Sequence, residues 1–104
     1  PKGRTAREEA GVVSAVWNGV TLASSDETVV VDGNHYFPPH SIDRQCLEPS
    51  EHTSVCPVKG TAQYFHVRVG DQRNSNAAWT YADPSPAAHS IKDHIAFWKG
   101  VNVA

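Results

Sequence analysis

The feature that most constrains the fold is the dipeptide Asn18-Gly19, which stands between two alternating apolar segments. Both central residues of a type I′ turn take a left-handed backbone, and Asn followed by Gly adopts that turn most readily. The flanking segments, "VVSAVW" and "VTLAS", alternate as half-buried strands do. The sequence therefore predicts a β-hairpin over residues 12–24, and with it an antiparallel sheet.

Five further segments are rich in β-branched or alternating apolar residues, and turn-forming residues separate them. The predicted strands cover residues 28–31, 44–47, 61–69, 77–82 and 95–103. Residues 41–50 are ambiguous, because they are also compatible with a short helical turn that leads into the second of these strands. Loops or strand breaks are predicted at residues 32–34, 49–53 and 73–76. Several short strands with turn signals at close spacing favour an all-β domain over an α/β one.

Ser85 and Pro86 have the composition of a helix start, with serine at the cap and proline at the first helical position. A short helix is therefore predicted over residues 87–94. The predicted fold is all-β and mainly antiparallel, a small two-sheet domain of tent-like or barrel-like form with this one helix near the C-terminus. Residues 11–104 are predicted to form the single domain, and the charged, aperiodic residues 1–10 a flexible arm.

The composition excludes several classes of function. The 104 residues carry a net charge of −2, so nucleic acid is not expected as a partner. No apolar run approaches the roughly 20 residues of a membrane-spanning helix, so no membrane partner is expected. The polar N-terminal residues do not resemble a secretory signal, which predicts a cytoplasmic protein whose two cysteines remain thiols. Nothing in the sequence specifies an oligomeric state.

Cys56 is the first candidate for chemistry. Lys59 follows it three residues later, and a nearby positive charge lowers the pKa of a thiol and favours the nucleophilic thiolate. His66 or His52 would be available as a general base. The alternative is that Cys56 is a small packed side chain before the bend at Pro57.

Metal binding and a disulfide are the other roles open to these side chains. The sequence has six histidines but no pair of Cys-x-x-Cys motifs, so neither a metal site nor a cofactor is predicted. Cys46 and Cys56 would form a disulfide only if their segments paired as strands, and a reducing compartment argues against it.

Aromatic residues on several predicted strands indicate a ligand site. Small-molecule sites are concave and mainly apolar, with a few polar groups that orient the ligand. The residues predicted to line such a site are Asp32, Asn34, Tyr36, Cys56, Lys59, Gly60, Tyr64, Trp79 and Tyr81. The alternative is that the rings simply form the core of a small β domain.

Four segments of the sequence resemble a known bacterial family, domain of unknown function number 427. They are "VWNGVTLASSDETVVVDGNHYFPP", "CPVKGTAQYFHVRV", "AAWTYADPSPAA" and "IKDHIAFWKGV". The resemblance covers about residues 11–103, and the combination of Cys-x-x-Lys-Gly-x-Ala-x-Tyr, Ala-Trp-x-Tyr-x-x-Pro and Ala-Phe-Trp carries it. Members often have Glu where this chain has Asp32.

The resemblance implies a compact antiparallel β fold, grouped near the tent-like proteins such as methionine sulfoxide reductase B and the Mss-four-like domains. Relatives of that kind often bind zinc through two Cys-x-x-Cys pairs, so a zinc-free version is implied here. The family has no established activity. It is sometimes labelled nucleotidyltransferase-like, but the Gly-Ser and Asp-x-Asp motifs of such a metal site do not occur in this sequence.

Three functions are consistent with these features. The preferred hypothesis is a small-molecule-binding domain whose aromatic-lined cleft holds an anionic or carbonyl ligand near Cys56 and Lys59. The second is an enzyme that uses Cys56 as nucleophile or redox thiol, activated by Lys59 and by His66 or another histidine. The third is an adaptor that binds another protein through an exposed edge strand.

Overall fold

The computed structural model describes residues 11–104, which form nine β-strands in three antiparallel sheets. The predicted flexible arm at residues 1–10 lies outside the described residues. The strands are β1 (Val13–Trp17), β2 (Val20–Ser25), β3 (Val29–Val31), β4 (Asn34–Tyr36), β5 (Leu47–Cys56), β6 (Gly60–Val69), β7 (Gln72–Thr80), β8 (Ile95–Phe97) and β9 (Asn102–Val103). Short 3₁₀ turns occupy Pro39–Ser41, Arg44–Cys46 and Pro86–Ile91.

The first sheet has the strand order β2-β1-β9 and contains the predicted hairpin. Asn18 and Gly19 connect β1 and β2 with φ angles of 50° and 77°, the left-handed conformations that a type I′ turn needs. The pairing register shifts between Ala15 and Val16, so a bulge interrupts the ladder. The hairpin prediction is confirmed.

The second sheet is the β3–β4 hairpin, and here the sequence prediction was incomplete. Asp32 and Gly33 have φ angles of 53° and 79°, so they form a second tight turn of the kind made by Asn18 and Gly19. Asn34 then pairs with Val31 and begins β4. The predicted break at residues 32–34 is therefore a two-residue turn, and the chain continues as a strand.

The third sheet has the strand order β5-β6-β7-β8. The two loops predicted in this part of the sequence are strands, so both predictions were wrong. Residues 49–53 lie inside β5, and residues 73–76 lie inside β7. β5 is an edge strand in which no residue is fully buried, so its polar composition is compatible with a strand. Its outer edge pairs with no other strand of residues 11–104. An adaptor would use such an exposed edge, and that role stays a prediction.

Two other predicted elements differ from the structure. The helical turn allowed within residues 41–50 is present as the 3₁₀ turn Arg44–Cys46, and the strand that follows it, β5, starts only at Leu47. The strand predicted at residues 95–103 divides into β8 and β9, because Lys99 and Gly100 turn the chain with φ angles of 57° and 89°. In the second case a short turn stands where apolar residues suggested a continuous strand.

Alternate side chains of the four-stranded sheet belong to two separate cores. On β6, Phe65 and Val67 contribute to the core shared with the first sheet, whereas Ala62 and Tyr64 contribute to a second core. Side chains on opposite faces of one strand therefore enter different cores, as the alternation of a β-strand requires. The second core also contains Tyr36, Tyr81, Ala88, Ile91 and Ala96. The β3–β4 hairpin and the turn Pro86–Ile91 therefore cover that face of the sheet.

The helix predicted at residues 87–94 is the 3₁₀ segment Pro86–Ile91, which is kinked at Ala88. Ser85 does not act as its side-chain cap. Instead, the Ser85 hydroxyl donates a hydrogen bond to the carbonyl of Val58, in the turn between β5 and β6. A predicted local interaction is replaced by one between distant parts of the chain.

The all-β antiparallel prediction is confirmed. Within residues 11–104 the strands form three sheets, and none of them closes into a barrel. In the same part of the chain, no helix has the length and apolar composition to cross a membrane.

Candidate functional site

Three segments of the chain meet around a cavity of about 290 Å³. They are the β3–β4 turn, the β5–β6 turn and the 3₁₀ segment Pro86–Ile91. The cavity is lined by Val31, Asp32, Cys56, Val58, Lys59, Ala87, Ala88 and Ser90. Its volume is close to the lower end of the roughly 300–1,000 Å³ of small-molecule sites, and its lining combines apolar walls with a few polar groups, as those sites do.

The β5–β6 turn is held in place by the loop before the 3₁₀ segment. Cys56 pairs with Gly60 across the base of the turn. The Ser85 N–H donates a hydrogen bond to the Lys59 carbonyl at 2.9 Å. The Ser85 hydroxyl donates a second one to the neighbouring Val58 carbonyl. Gly60 has a φ angle of 113°, a conformation that side-chain-bearing residues rarely adopt. The turn that carries Cys56 and Lys59 is therefore held both by the strand pairing at its base and by the hydrogen bonds from Ser85.

An ion pair joins the two turns at the cavity. The Lys59 ammonium donates a hydrogen bond to the carboxylate of Asp32. The Lys59 side chain is only 14% exposed, whereas that of Asp32 is 70% exposed. The hydrogen bond to Asp32 raises the pKa of Lys59, so the amine remains a cation throughout the neutral pH range.

The half-buried Cys56 thiol lies in an environment that stabilises its anion. The backbone N–H groups of Lys59 and Val58 lower the pKa of Cys56, and the charge of the Lys59 ammonium adds to that effect. Successive backbone N–H groups in a tight turn form a concavity that favours negative charge. A lower pKa increases the thiolate fraction at neutral pH, and the thiolate is the nucleophilic form.

Iodoacetamide alkylation would measure this effect with a reference inside the same chain. We expect Cys56 to react with a pH midpoint below the roughly 8.5 of an ordinary thiol. Cys46 should react far more slowly, because it is buried and burial raises the pKa of its thiol. Peptide mass spectrometry would quantify both positions across the neutral and alkaline range. A Cys56 midpoint at or above the ordinary value would contradict the assigned environment.

The predicted aromatic residues form one cluster in the second core. Ring centroids lie 6.1 Å apart for Tyr36 and Trp79, 6.4 Å for Tyr36 and Tyr81, and 6.3 Å for Tyr64 and Trp79. The indole Nε1–H of Trp79 donates to the Tyr36 hydroxyl at 3.2 Å. Tyr36 and Tyr81 are only 1% and 5% exposed, so their rings are part of the core.

The hydroxyl groups of this cluster are electrostatically coupled to the cavity. Burial raises the pKa of Tyr36 and of Tyr81, and the charges of Lys59 and Cys56 act on both hydroxyl groups. The aromatic core adjoins the cavity through Ala88, which belongs to that core and lines the cavity, although the rings themselves do not line it.

A comparison with protein families gives a match. A family model labelled NTP_transf_9 and described as a domain of unknown function (DUF427) matches residues 5–103, nearly the whole chain. The chain belongs to the DUF427 family. A comparison with curated proteins finds no match. The resemblance predicted from the sequence is confirmed, and the family description assigns no activity.

Of the site residues predicted in this DUF427 domain, three line the cavity together. They are Asp32, Cys56 and Lys59, which come from two different hairpin turns. Gly60 follows Lys59 directly and shapes the turn through its backbone, and it has no side chain that could contact a ligand. Asn34 lies beyond the other turn, where it pairs with Val31 at the start of β4.

Two predicted residues are engaged elsewhere. The Tyr64 hydroxyl shares a hydrogen bond of 3.0 Å with Ser54, and the Tyr64 ring lies 4.6 Å from that of His52. His66 accepts a hydrogen bond at Nδ1 from the backbone N–H of Asn76, at 3.1 Å, where the β6–β7 pairing is irregular. None of these side chains lines the cavity. The role of His66 as a general base stays a prediction.

Sequence reasoning missed five residues of the cavity: Val31, Val58, Ala87, Ala88 and Ser90. Two of these five positions had a usable signal. Val31 ends a predicted strand before a turn, and Val58 lies between Cys56 and Lys59. The others belong to the segment after Pro86, and no local pattern places that segment against the β5–β6 turn.

The two cysteines are free and distant from each other. Cys46 precedes β5 and Cys56 ends it, and at about 3.3 Å per residue an extended strand of this length separates them by roughly 30 Å. A disulfide between them in one chain does not fit this geometry. Among residues 11–104, no three histidine, cysteine or carboxylate side chains come together as a metal site would need.

Proposed function

We propose that the cavity of this DUF427 domain binds a small molecule through a carbonyl group placed between Lys59 and Cys56. The observation that carries the proposal is the presence of a largely buried ammonium and a thiol in the lining of one cavity. A carbonyl oxygen would accept a hydrogen bond from Lys59. Its carbon would then face the sulfur of Cys56.

The balance of charges favours a carbonyl ligand over an anion. The positive charge of Lys59 is paired with the Asp32 carboxylate, and the thiolate form of Cys56 adds negative charge. An anionic ligand would meet this negative charge, whereas a neutral carbonyl would not. An ammonium has three N–H donors, so Lys59 keeps donors for a ligand while one is bonded to Asp32.

The walls of the cavity support a short aliphatic substituent on that carbonyl. Val31, Val58, Ala87 and Ala88 supply apolar surface, and the small volume limits the ligand to a few non-hydrogen atoms. Butyramide has both features, since it combines a three-carbon chain with a carbonyl oxygen that accepts hydrogen bonds. It is also chemically inert toward thiols, so it tests binding alone.

Titration of the ¹⁵N-labelled protein with butyramide would test the proposal. We expect amide shifts concentrated at Val31, Val58, Lys59 and Ala87. Lys59→Met removes a charged hydrogen-bond donor but keeps the aliphatic stem, and it should weaken binding roughly ten- to a hundredfold. Lys92→Met is the matched control, because Lys92 is exposed and does not line the cavity. Equal affinities in both variants, or shifts outside the cavity, would refute the proposal.

An enzyme that uses Cys56 as its nucleophile is the second candidate. The lowered pKa of Cys56 and its position in the cavity support it. In this version Lys59 would polarise the substrate and backbone N–H groups would stabilise the thiolate, so no histidine is needed near the sulfur. Cys56 should be alkylated faster than Cys46, and butyramide should slow the alkylation of Cys56. Both results together would support a reactive thiol in the ligand site.

A further inference from the structure

We infer that this cavity captures aldehydes covalently and reversibly, by addition of the Cys56 thiol to the aldehyde carbon to form a thiohemiacetal. The inference rests on the proposed function, because an aldehyde must first occupy the cavity with its oxygen on Lys59. It adds the substrate class and the bond that forms.

The first support is that a nucleophile and a hydrogen-bond donor for the carbonyl oxygen lie on the same turn. Cys56 and Lys59 line the same cavity, and the Ser85 bonds to the turn hold both on one rigid segment. A carbonyl oxygen bonded to the ammonium is polarised, which makes its carbon more electrophilic. Amides and carboxylates resist thiol addition, so aldehydes are the carbonyl class that gains from this arrangement.

The second support is the hydroxyl of Tyr81. The Tyr81 side chain belongs to the second core together with Ala88, and Ala88 also lines the cavity. The charges of Lys59 and Cys56 act on this hydroxyl. We assign it as a second donor to an oxygen that develops negative charge.

The reaction balances without an oxidant or reductant. The Cys56 sulfur forms one bond to the aldehyde carbon, and the π electron pair of the carbonyl moves to its oxygen. That oxygen takes up one proton, which replaces the proton lost by the thiol. The sum is thiol plus aldehyde giving thiohemiacetal, and the reverse steps release the aldehyde unchanged.

Lys59 does not compete for the aldehyde as an amine nucleophile. The Asp32 hydrogen bond raises the pKa of Lys59 and keeps it protonated, and a protonated amine cannot form an imine. The ion pair thus assigns the two groups different tasks. Lys59 holds the oxygen, and Cys56 attacks the carbon.

Butyraldehyde labelled with ¹³C at the carbonyl is the probe, and butyramide is its unreactive counterpart. In the full chain we expect a protein-bound signal from tetrahedral carbon in the ¹³C spectrum, which disappears when free aldehyde is removed by dialysis. Cys56→Ser should abolish the signal, because it removes the sulfur that forms the bond. Tyr81→Phe should weaken the adduct roughly two- to tenfold, the effect of one hydrogen bond.

The outcomes separate this inference from the proposed function. Butyramide binding without an aldehyde signal would overturn covalent capture and leave the binding site intact. Absence of both would overturn the proposed function. A tetrahedral-carbon signal that persists in Cys56→Ser would show that another group reacts and would overturn the inference. An imine signal that Lys59→Met removes would overturn it as well. An unchanged adduct in Tyr81→Phe would remove the tyrosine from it.

Discussion

Replacing Phe37 with alanine is expected to lower the free energy of unfolding by about 3–5 kcal/mol. The Phe37 side chain is completely buried, and its ring packs edge-on against Phe97 with centroids 5.7 Å apart and planes at 70°. The variant would lose this burial and leave a cavity in the core. Small domains have total stabilities of about 5–15 kcal/mol, so this single change would remove a large share.

Phe37 also stands where two sheets join. Its backbone exchanges hydrogen bonds of 2.8 and 2.9 Å with Ile95, which attaches the β3–β4 hairpin to β8. Loosening this contact should also loosen the hairpin that carries Asp32. Urea unfolding followed by tryptophan fluorescence would measure the effect. Val30→Ala is the control, since Val30 is 57% exposed and should change stability by less than about 0.5 kcal/mol. Similar losses in the two variants would contradict the assigned core.

The parts of the fold that follow local rules could be predicted from the sequence. Asn18-Gly19 specifies a tight turn whatever surrounds it, so the first hairpin was correct in position and turn type. Asp32-Gly33 carries the same signal and makes the same kind of turn. The turn chemistry was sufficient there too, but the segment after it is only three residues long and was not recognised as a strand.

The polar strands could not be predicted, because their conformation depends on distant partners. Residues 49–53 and 73–76 have the composition of loops, and the pairing of β5 and β7 with β6 makes them strands. The irregularity in β7 shows the same dependence. Asn76 has a φ angle of 57°, and its N–H is bonded to the imidazole of His66 on the neighbouring strand.

The candidate site divides in the same way. Cys56 and Lys59 are three residues apart across a tight turn, so their proximity follows from the sequence alone. Asp32 and the segment after Pro86 reach the cavity only through tertiary packing. The predicted aromatic residues lie together, but Tyr36 and Tyr81 are needed to fill the second core, so their rings support the cavity and do not line it.

Gly60→Ala is expected to affect both stability and the reactivity of Cys56. A φ angle of 113° is strained for any residue with a side chain, and we expect a loss of about 1–3 kcal/mol in the free energy of unfolding. The new Cβ itself would lie 3.5–3.6 Å from the backbone of residues 83–85, an ordinary contact. The cost therefore comes from the backbone, and relief of the strain requires the turn to move.

Movement of this turn would change the chemistry of the thiol. The N–H groups of Lys59 and Val58 lower the pKa of Cys56 only while the turn holds them toward the sulfur. In Gly60→Ala the pKa of Cys56 should rise toward its ordinary value, and alkylation at neutral pH should slow accordingly. Gly70→Ala is the matched control, because Gly70 also has a positive φ, of 58°, in open space and away from the cavity. It should lose stability but keep the wild-type alkylation profile. If both variants keep that profile, the turn is not what tunes the thiol, and the link between the fold and the proposed chemistry is wrong.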